Sequence, residues 1–447
     1  MSLPVAIVAW AFLAYIVLLN GAYLVLNLLA WPALRRRFTL MPLENLPPLH
    51  PDMVPPVTIV IAARDCADTI VERVNTALQM YYPEFEVVVV NDGSRDNTLE
   101  LLTAAFKLES FPEVYWRRIP AKAVRTIYHS RLHANLRVVD KERGGTADSI
   151  NVGINASRYP LFIALGARWF LRRDGLRLLV EPFLDDPYTI ATGCTARVAD
   201  ASEIDDPSAA HELPASLLAR LQVVEHLREP LFGRLGWARL NASLGFTNAA
   251  ILFRKDSVVD AAGFRSDVIG EDMELITRLH RVLRSRRERY RIHVVPEPIC
   301  RVAAAPSLGK LREQRMRWQV ALAQSLERNR ELRGLRGSAG RLAYPFFTVF
   351  ECFGPAVEIG AYVMMTVMFL LGLLPGMAYV GFLALAFSLG FMVSMSALLL
   401  EEMSFRLYPR WGQAARLAIA AIVENLGYRQ LVSFWRLDAL LRWWQAK

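Results

Sequence analysis

The apolar positions of this chain are arranged differently in its different regions. Residues 1–34 are almost continuously apolar and carry no charge, and so does the block from Ile359 to Leu400. Between them, from about residue 57 to 300, short β-branched runs alternate with stretches of helical period. A bilayer core needs about 20 apolar residues per helix. The first block therefore predicts a single span. The second predicts a pair, with Leu374-Pro375-Gly376 as the turn between them.

In the middle region, Val57–Ala62, Phe85–Val90, Leu136–Val139, Leu161–Leu165, Ala249–Phe253 and Ile292–Val295 read as strands. Helical periodicity covers 67–81, 94–107, 146–156, 173–184, 213–229 and 271–284, and 308–333 reads as a long basic helix. Such alternation predicts an α/β domain with a mostly parallel sheet covered on both faces. Residues 117–137, rich in Arg, Lys and His, read as a basic surface excursion. The prolines of 41–56 mark a linker. The tail, Gly412–Lys447, fits an interfacial amphipathic helix as well as a further span. The expected organisation is an anchor at 1–34, a linker at 35–56 and an α/β domain at 57–335. An interfacial segment with spans follows at 336–402, then a C-terminal segment at 403–447.

Composition sharpens this picture. At 53% hydrophobic over 447 residues, the chain is too apolar for an ordinary soluble protein. Arg35-Arg36-Arg37 follow a first block too long for a secretory leader, which predicts a retained anchor. By the positive-inside rule they place 38–340 in the cytoplasm, so the chain is expected to be multi-pass in the inner (plasma) membrane. The net charge of +9 suits anionic headgroups or a phosphorylated substrate, and no nucleic-acid recognition motif accompanies it. The four cysteines have no paired spacing and the seven histidines no cluster, which argues against a disulfide framework and a zinc site.

Open parallel sheets bind ligands at the carboxyl ends of their strands. There the chain places Asn91-Asp92-Gly93-Ser94, where Asp92 reads either as an acceptor for a ribose or base, or as part of a helix start with Ser94 and Asp96. Gly144-Gly145-Thr146-Ala147-Asp148-Ser149-Ile150-Asn151 opens a helix with a glycine pair whose amides could approach a phosphate. Gly270-Glu271-Asp272 opens another helix, where a carboxylate reads as a general base or as dipole compensation. In Gln314-Arg315-Met316-Arg317-Trp318, Gln314 and Trp318 share a helix face with Arg317 beside them. Arginine could stabilise a diphosphate and tryptophan could stack on a sugar, or the segment is a basic helix at a membrane surface.

Taken in order, these motifs resemble the membrane-embedded, inverting family-2 glycosyltransferases, the group of cellulose, chitin and hyaluronan synthases. The resemblance spans roughly residues 57–400. It implies a GT-A fold, a nucleotide-sugar donor, a glycan acceptor, and spans that serve as platform or channel. It also implies that Asp92, Gly144, Gly145 and Asp148 lie at the nucleotide sugar and that Asp272 is the catalytic base. Gln314, Arg317 and Trp318 would lie near acceptor and diphosphate. The family's metal-binding Asp-x-Asp is absent, for its positions read Gly166-Ala167-Arg168. Arginine cannot ligate a metal. Further departures are Asp65-Cys66 in place of Asn-Glu and Thr146 in place of lysine. Two readings follow. In one, Arg168 binds the donor diphosphate and transfer proceeds without metal. In the other, the donor site is dead and the chain is a noncatalytic subunit of a polysaccharide synthesis or export complex.

Overall fold

The computed structural model describes residues 3–40, 54–112, 115–165, 170–199, 212–245 and 250–446. Residues 45–196 and 245–302 make an α/β unit, while 1–44, 197–244 and 303–447 make a helical unit. The boundary thus differs from a continuous 57–335 domain: the chain leaves the α/β unit at 197 and again at 303.

The strands are β1 (Val57–Ala63), β2 (Phe85–Asp92), β3 (Leu108–Ser110), β4 (Val124–Ser130), β5 (Leu136–Lys141), β6 (Leu161–Leu165), β7 (Phe170–Leu171), β8 (Thr189–Ala199), β9 (Ile251–Arg254) and β10 (Arg291–Ala303). They form one sheet in the order β3-β4-β5-β2-β1-β6-β9-β8-β10-β7. At its heart β5, β2, β1 and β6 run parallel, with Val57 facing Phe85 on one side and Leu161 on the other. Their continuous apolar runs are buried on both faces, as parallel strands covered by helices require. The Thr146–Ala156 helix comes so close to β1 that a Cβ on Gly153 would lie 2.3 Å from Val60 Cγ1.

The parallel heart is the part the hydrophobic pattern predicts. Of the antiparallel flanks it predicts β9 and the start of β10, but not β3, β4, β7 or β8. β4 pairs antiparallel with β3 and β5 inside the expected surface excursion, and β9 pairs antiparallel with β6 and β8. On β4 only Ile127 and Ser130 are buried, and Arg125 and His129 interrupt the apolar pattern that would mark the strand. On β8 the threonines at 189, 192 and 195 break the apolar pattern although they are buried. The Thr195 hydroxyl is satisfied by the carbonyls of Pro296 and Glu297. Arg137, expected at the surface, is 3% exposed; it sits on β5, pairs with Glu86 at 2.6 Å and donates to the Ala156 carbonyl. A buried charge is tolerable only when paired in this way.

In the helical unit, Leu3–Pro32 and Gly376–Ser404 are each long and apolar enough to cross a membrane. Ala339–Cys352 with Gly354–Leu370 is a further candidate, bent by 46°. The turn between Gly354–Leu370 and Gly376–Ser404 contains Leu374-Pro375, as expected. The tail forms two helices, Trp411–Val423 and Arg429–Gln445, separated by a break where Leu426 and Gly427 leave helical geometry. The second of these lies along the Leu308–Arg328 helix. There Arg436 donates to Gln319 at 2.6 Å, and Arg312 pairs with Asp438 at 2.9 Å.

Candidate functional site

β1 lies between β2 and β6, so the chain departs from it in both directions across the sheet. At the carboxyl ends of such strands stand Asp92 and its register partner Lys141. Asp92 is 3% exposed. Its Oδ1 accepts from Lys141 Nζ at 2.7 Å and from the Gly144 amide at 2.7 Å, and its Oδ2 accepts from the Gly145 amide at 2.8 Å. Burial opposes the Asp92 charge, but Lys141 and the two amides outweigh it and hold the carboxyl below its ordinary range. Lys141 itself is fully buried and also meets Asp148 Oδ1 at 2.7 Å. Asp148 in turn accepts from the Lys122 amide at 3.0 Å.

The structure therefore brings Asp92, Gly144, Gly145 and Asp148 together around one ammonium group. It also corrects the part the sequence offers to the glycine pair, because their amides point at Asp92. Gly145, at φ +92, occupies a conformation that favours glycine and lets its amide turn that way. The adjoining loops are clasped together. Asp65 accepts from the Arg95 amide at 2.8 Å, and Asp96 from the Ala67 amide at 3.0 Å. Asp96 also accepts from the Thr98 amide at 3.2 Å, so the helix-start reading holds for this aspartate.

Asp272 lies in the first turn of the Glu271–Ser285 helix, after Gly270, in the same unit. It is half-buried. Among the described residues its carboxyl meets no cation and no hydrogen-bond donor. Burial and the adjacent Glu271 carboxylate push it up to about 7. Glu274, one turn on, is fully engaged by Arg278 at 3.0 Å. Arg278 also donates to the carbonyls of Ala261 and Gly263. On the other side, Asn151 exchanges hydrogen bonds with the backbone of Phe264 at 2.7 and 2.8 Å. The loop that delivers Asp272 is thus pinned at its start, and the acid at its end has no partner among the described residues.

Gln314, Arg317 and Trp318 lie on the Leu308–Arg328 helix of the helical unit. Arg317 is exposed, and Gln314 and Trp318 are half-buried. Between them Arg315 turns inward. Its guanidinium lies 4.3 Å from the centre of the Trp318 ring and 2.7 Å from Glu225.

Arg168 lies outside the described residues. The sequence supplies no carboxylate at 166–168. Among the described residues, no three His, Cys, Asp or Glu side chains gather in a metal-sized group.

Sequence reasoning missed Lys141, Glu225, Arg315 and Tyr428. A lysine ending a buried strand just before a glycine pair was a legible signal. Glu225 and Tyr428 gave none, because their role depends on distant segments meeting.

The profile of glycosyl transferase family 2 matches residues 58–257. Poly-beta-1,6-N-acetyl-D-glucosamine synthase of Staphylococcus aureus (strain MSSA476) is 27% identical over 279 residues, 62% of this chain and 57% of that protein. The synthase of the same name from Staphylococcus epidermidis is 23% identical over 268 residues, 59% and 53% of the two chains. The matched region spans little more than half the length of these relatives. Among solved structures, the mannosyltransferase PcManGT from Pyrobaculum calidifontis, in complex with GDP-Man and Mn2+, aligns at a TM-score of 0.49 and 20% identity over 94% of this chain and 99% of that one. Residues 58–257 are thus similar to the glycosyl transferase family 2 domain.

Proposed function

We propose that the protein is a membrane-integrated glycosyltransferase that moves a sugar from a nucleotide donor onto a growing polysaccharide, with inversion at the anomeric carbon. One observation carries this reading: a carboxyl without a partner among the described residues, Asp272, poised near neutral pH at the head of a helix. A base serves best when its pKa lies near the working pH. Asp272 takes the proton from an acceptor hydroxyl, whose oxygen then bonds to the anomeric carbon. The bond from that carbon to the diphosphate breaks, and the nucleoside diphosphate leaves. Arg168 offers a guanidinium to the departing phosphates, which arginine can bind bidentately. Trp318 supplies an aromatic platform for the acceptor, with Gln314 and Arg317 beside it. Asp92, Lys141 and Asp148 hold the Gly144-Gly145 turn at the nucleotide end. The names of the relatives favour N-acetylglucosamine as the sugar. Arg35-Arg36-Arg37 favour a cytoplasmic α/β unit.

The test is transfer from UDP-N-acetylglucosamine by the purified full chain, with and without a chelator, against Asp272→Asn. Transfer that survives the chelator and disappears in the variant supports the reading. Equal turnover in both proteins overturns it.

A second reading, a noncatalytic subunit of a polysaccharide complex, is favoured by the saturation of Asp92, whose oxygens are all taken by the protein's own donors. Absence of nucleotide-sugar binding, together with co-purification of a partner subunit, would select it.

A further inference from the structure

We propose that Glu225 and Tyr428 are positioning residues for the acceptor motif: they fix Arg315, and Arg315 fixes the ring of Trp318. The inference rests on the reading that Trp318 meets the acceptor.

All the residues involved belong to the helical unit. Glu225 comes from the Leu217–His226 helix, Arg315 from Leu308–Arg328, and Tyr428 from the break between the tail helices. Arg315 Nη2 donates to Glu225 Oε2 at 2.7 Å, and the Tyr428 hydroxyl donates to the same oxygen at 2.8 Å. The carboxylate therefore has its cation on one side and a hydroxyl on the other. Burial opposes its charge, but Arg315 and the Tyr428 hydrogen bond outweigh it and hold the acid below its ordinary range.

The arrangement is a poor choice for stability alone. Arg315 is 6% exposed, and its Nε has no hydrogen-bond partner among the described residues. Desolvating such a pair offsets most of its Coulombic gain, and an apolar replacement of similar shape is often as stable. What the pair supplies is orientation. Its guanidinium lies 4.3 Å from the indole centre, within the range of a cation–π contact, and covers one face of the ring. The half-buried indole retains exposed surface for a sugar. Without Glu225 the arginine loses its short contact to a charged partner, and the ring loses its fixed neighbour.

The break in the tail serves this purpose. Gly427, at φ +156, turns the chain between the helices next to Tyr428. Beyond it, the Arg436–Gln319 and Asp438–Arg312 contacts strap the last helix along the motif helix. A segment outside the family-matched region thus completes the setting of a motif residue.

The test uses the full chain in detergent, UDP-N-acetylglucosamine as donor and a β-1,6-linked N-acetylglucosamine oligomer as acceptor. The variants are Glu225→Gln, Tyr428→Phe and Glu225→Asp, each normalised to its nucleotide-binding stoichiometry so that unfolded protein is not counted. A misplacement of about 1 Å can cost about 100-fold in rate, so acceptor kcat/KM should fall between about 10- and 100-fold in the first two variants. The donor KM should stay unchanged, and Glu225→Asp should recover part of the loss. In parallel, Glu225→Gln should erase the near-ultraviolet dichroism band that Trp318→Phe erases. Wild-type acceptor constants in both variants, or equal losses on donor and acceptor, would overturn the inference. Wild-type protein without transfer would strike the proposed function instead. The dichroism comparison would then still decide, because a band left intact by Glu225→Gln refutes the positioning of the ring.

Discussion

Asp92 and Asp272 belong to the same α/β unit, and the chain treats them in opposite ways. Asp92 is enclosed by a buried ammonium and two amides, which keep it ionised well into acid. Asp272 is half-buried with no donor among the described residues, and burial with the adjacent Glu271 carries it to about 7. The residue type is the same at the two sites, one at the end of a strand and the other in the first turn of a helix. The difference lies in where the hydrogen bonds go. A carboxylate held by three internal donors shapes a loop, and one without such donors can accept a proton from a substrate.

The sharpest way to break the contrast is to neutralise each acid in turn. Asp272→Asn should lower transfer by about 100- to 10,000-fold, the usual contribution of a positioned base, while nucleotide binding stays as in the wild type. Asp92→Asn should do the reverse, weakening nucleotide binding and stability before it touches chemistry. Equal effects on both measurements at both sites would remove the distinction.

Lys141 offers a test through the partner. Lys141→Met leaves Asp92 and Asp148 facing each other without their shared cation. Breaking a buried pair from one side costs about 3–5 kcal/mol, so a large fall in melting temperature is expected. A variant that melts with the wild type would show that the amides alone suffice for Asp92.

How much of this could be read from the chain follows the same contrast. The parallel heart was legible because β1 and β2 are buried on both faces and read as unbroken apolar runs. β4 and β8 were not, since Arg125 and His129 on the one and threonines on the other hide strands whose partners are supplied from elsewhere. Asp272 stood out by its place after Gly270. The pairing of Asp92 with the glycine amides did not, because spacing does not say which way an amide points. Glu225 and Tyr428 were invisible, for they matter only once residues 203 apart share one oxygen.

The pH dependence of transfer sharpens the comparison further. If Asp272 must be ionised to act, kcat should rise about tenfold per pH unit below 7 and level off above it. Asp92, already ionised there, contributes no slope. A profile flat from pH 5 to about 8 would exclude Asp272 as the base.

A further effect is on the pH dependence of stability. In the unfolded chain the Asp272 carboxyl loses its proton near its ordinary value of 3.8, but in the folded protein only near 7. Between these values the folded state holds more protons than the unfolded one, so stability falls as pH rises, by at most about 1.4 kcal/mol per unit. Above 7 both states are ionised and the slope ends. Asp272→Asn removes this ionisation, so its melting temperature should gain on the wild type as pH rises from about 4 to 7 and keep a constant lead beyond. Asp92→Asn should move the opposite way. Its lowered acid stabilises the fold above the ordinary carboxyl range, so the variant should lag the wild type at neutral pH and draw level as acid protonates the wild-type group. Parallel melting curves for Asp272→Asn and wild type across this range would mean that the acid at 272 is solvated like any surface carboxylate, and the electrostatic case for it as the base would fall with that result.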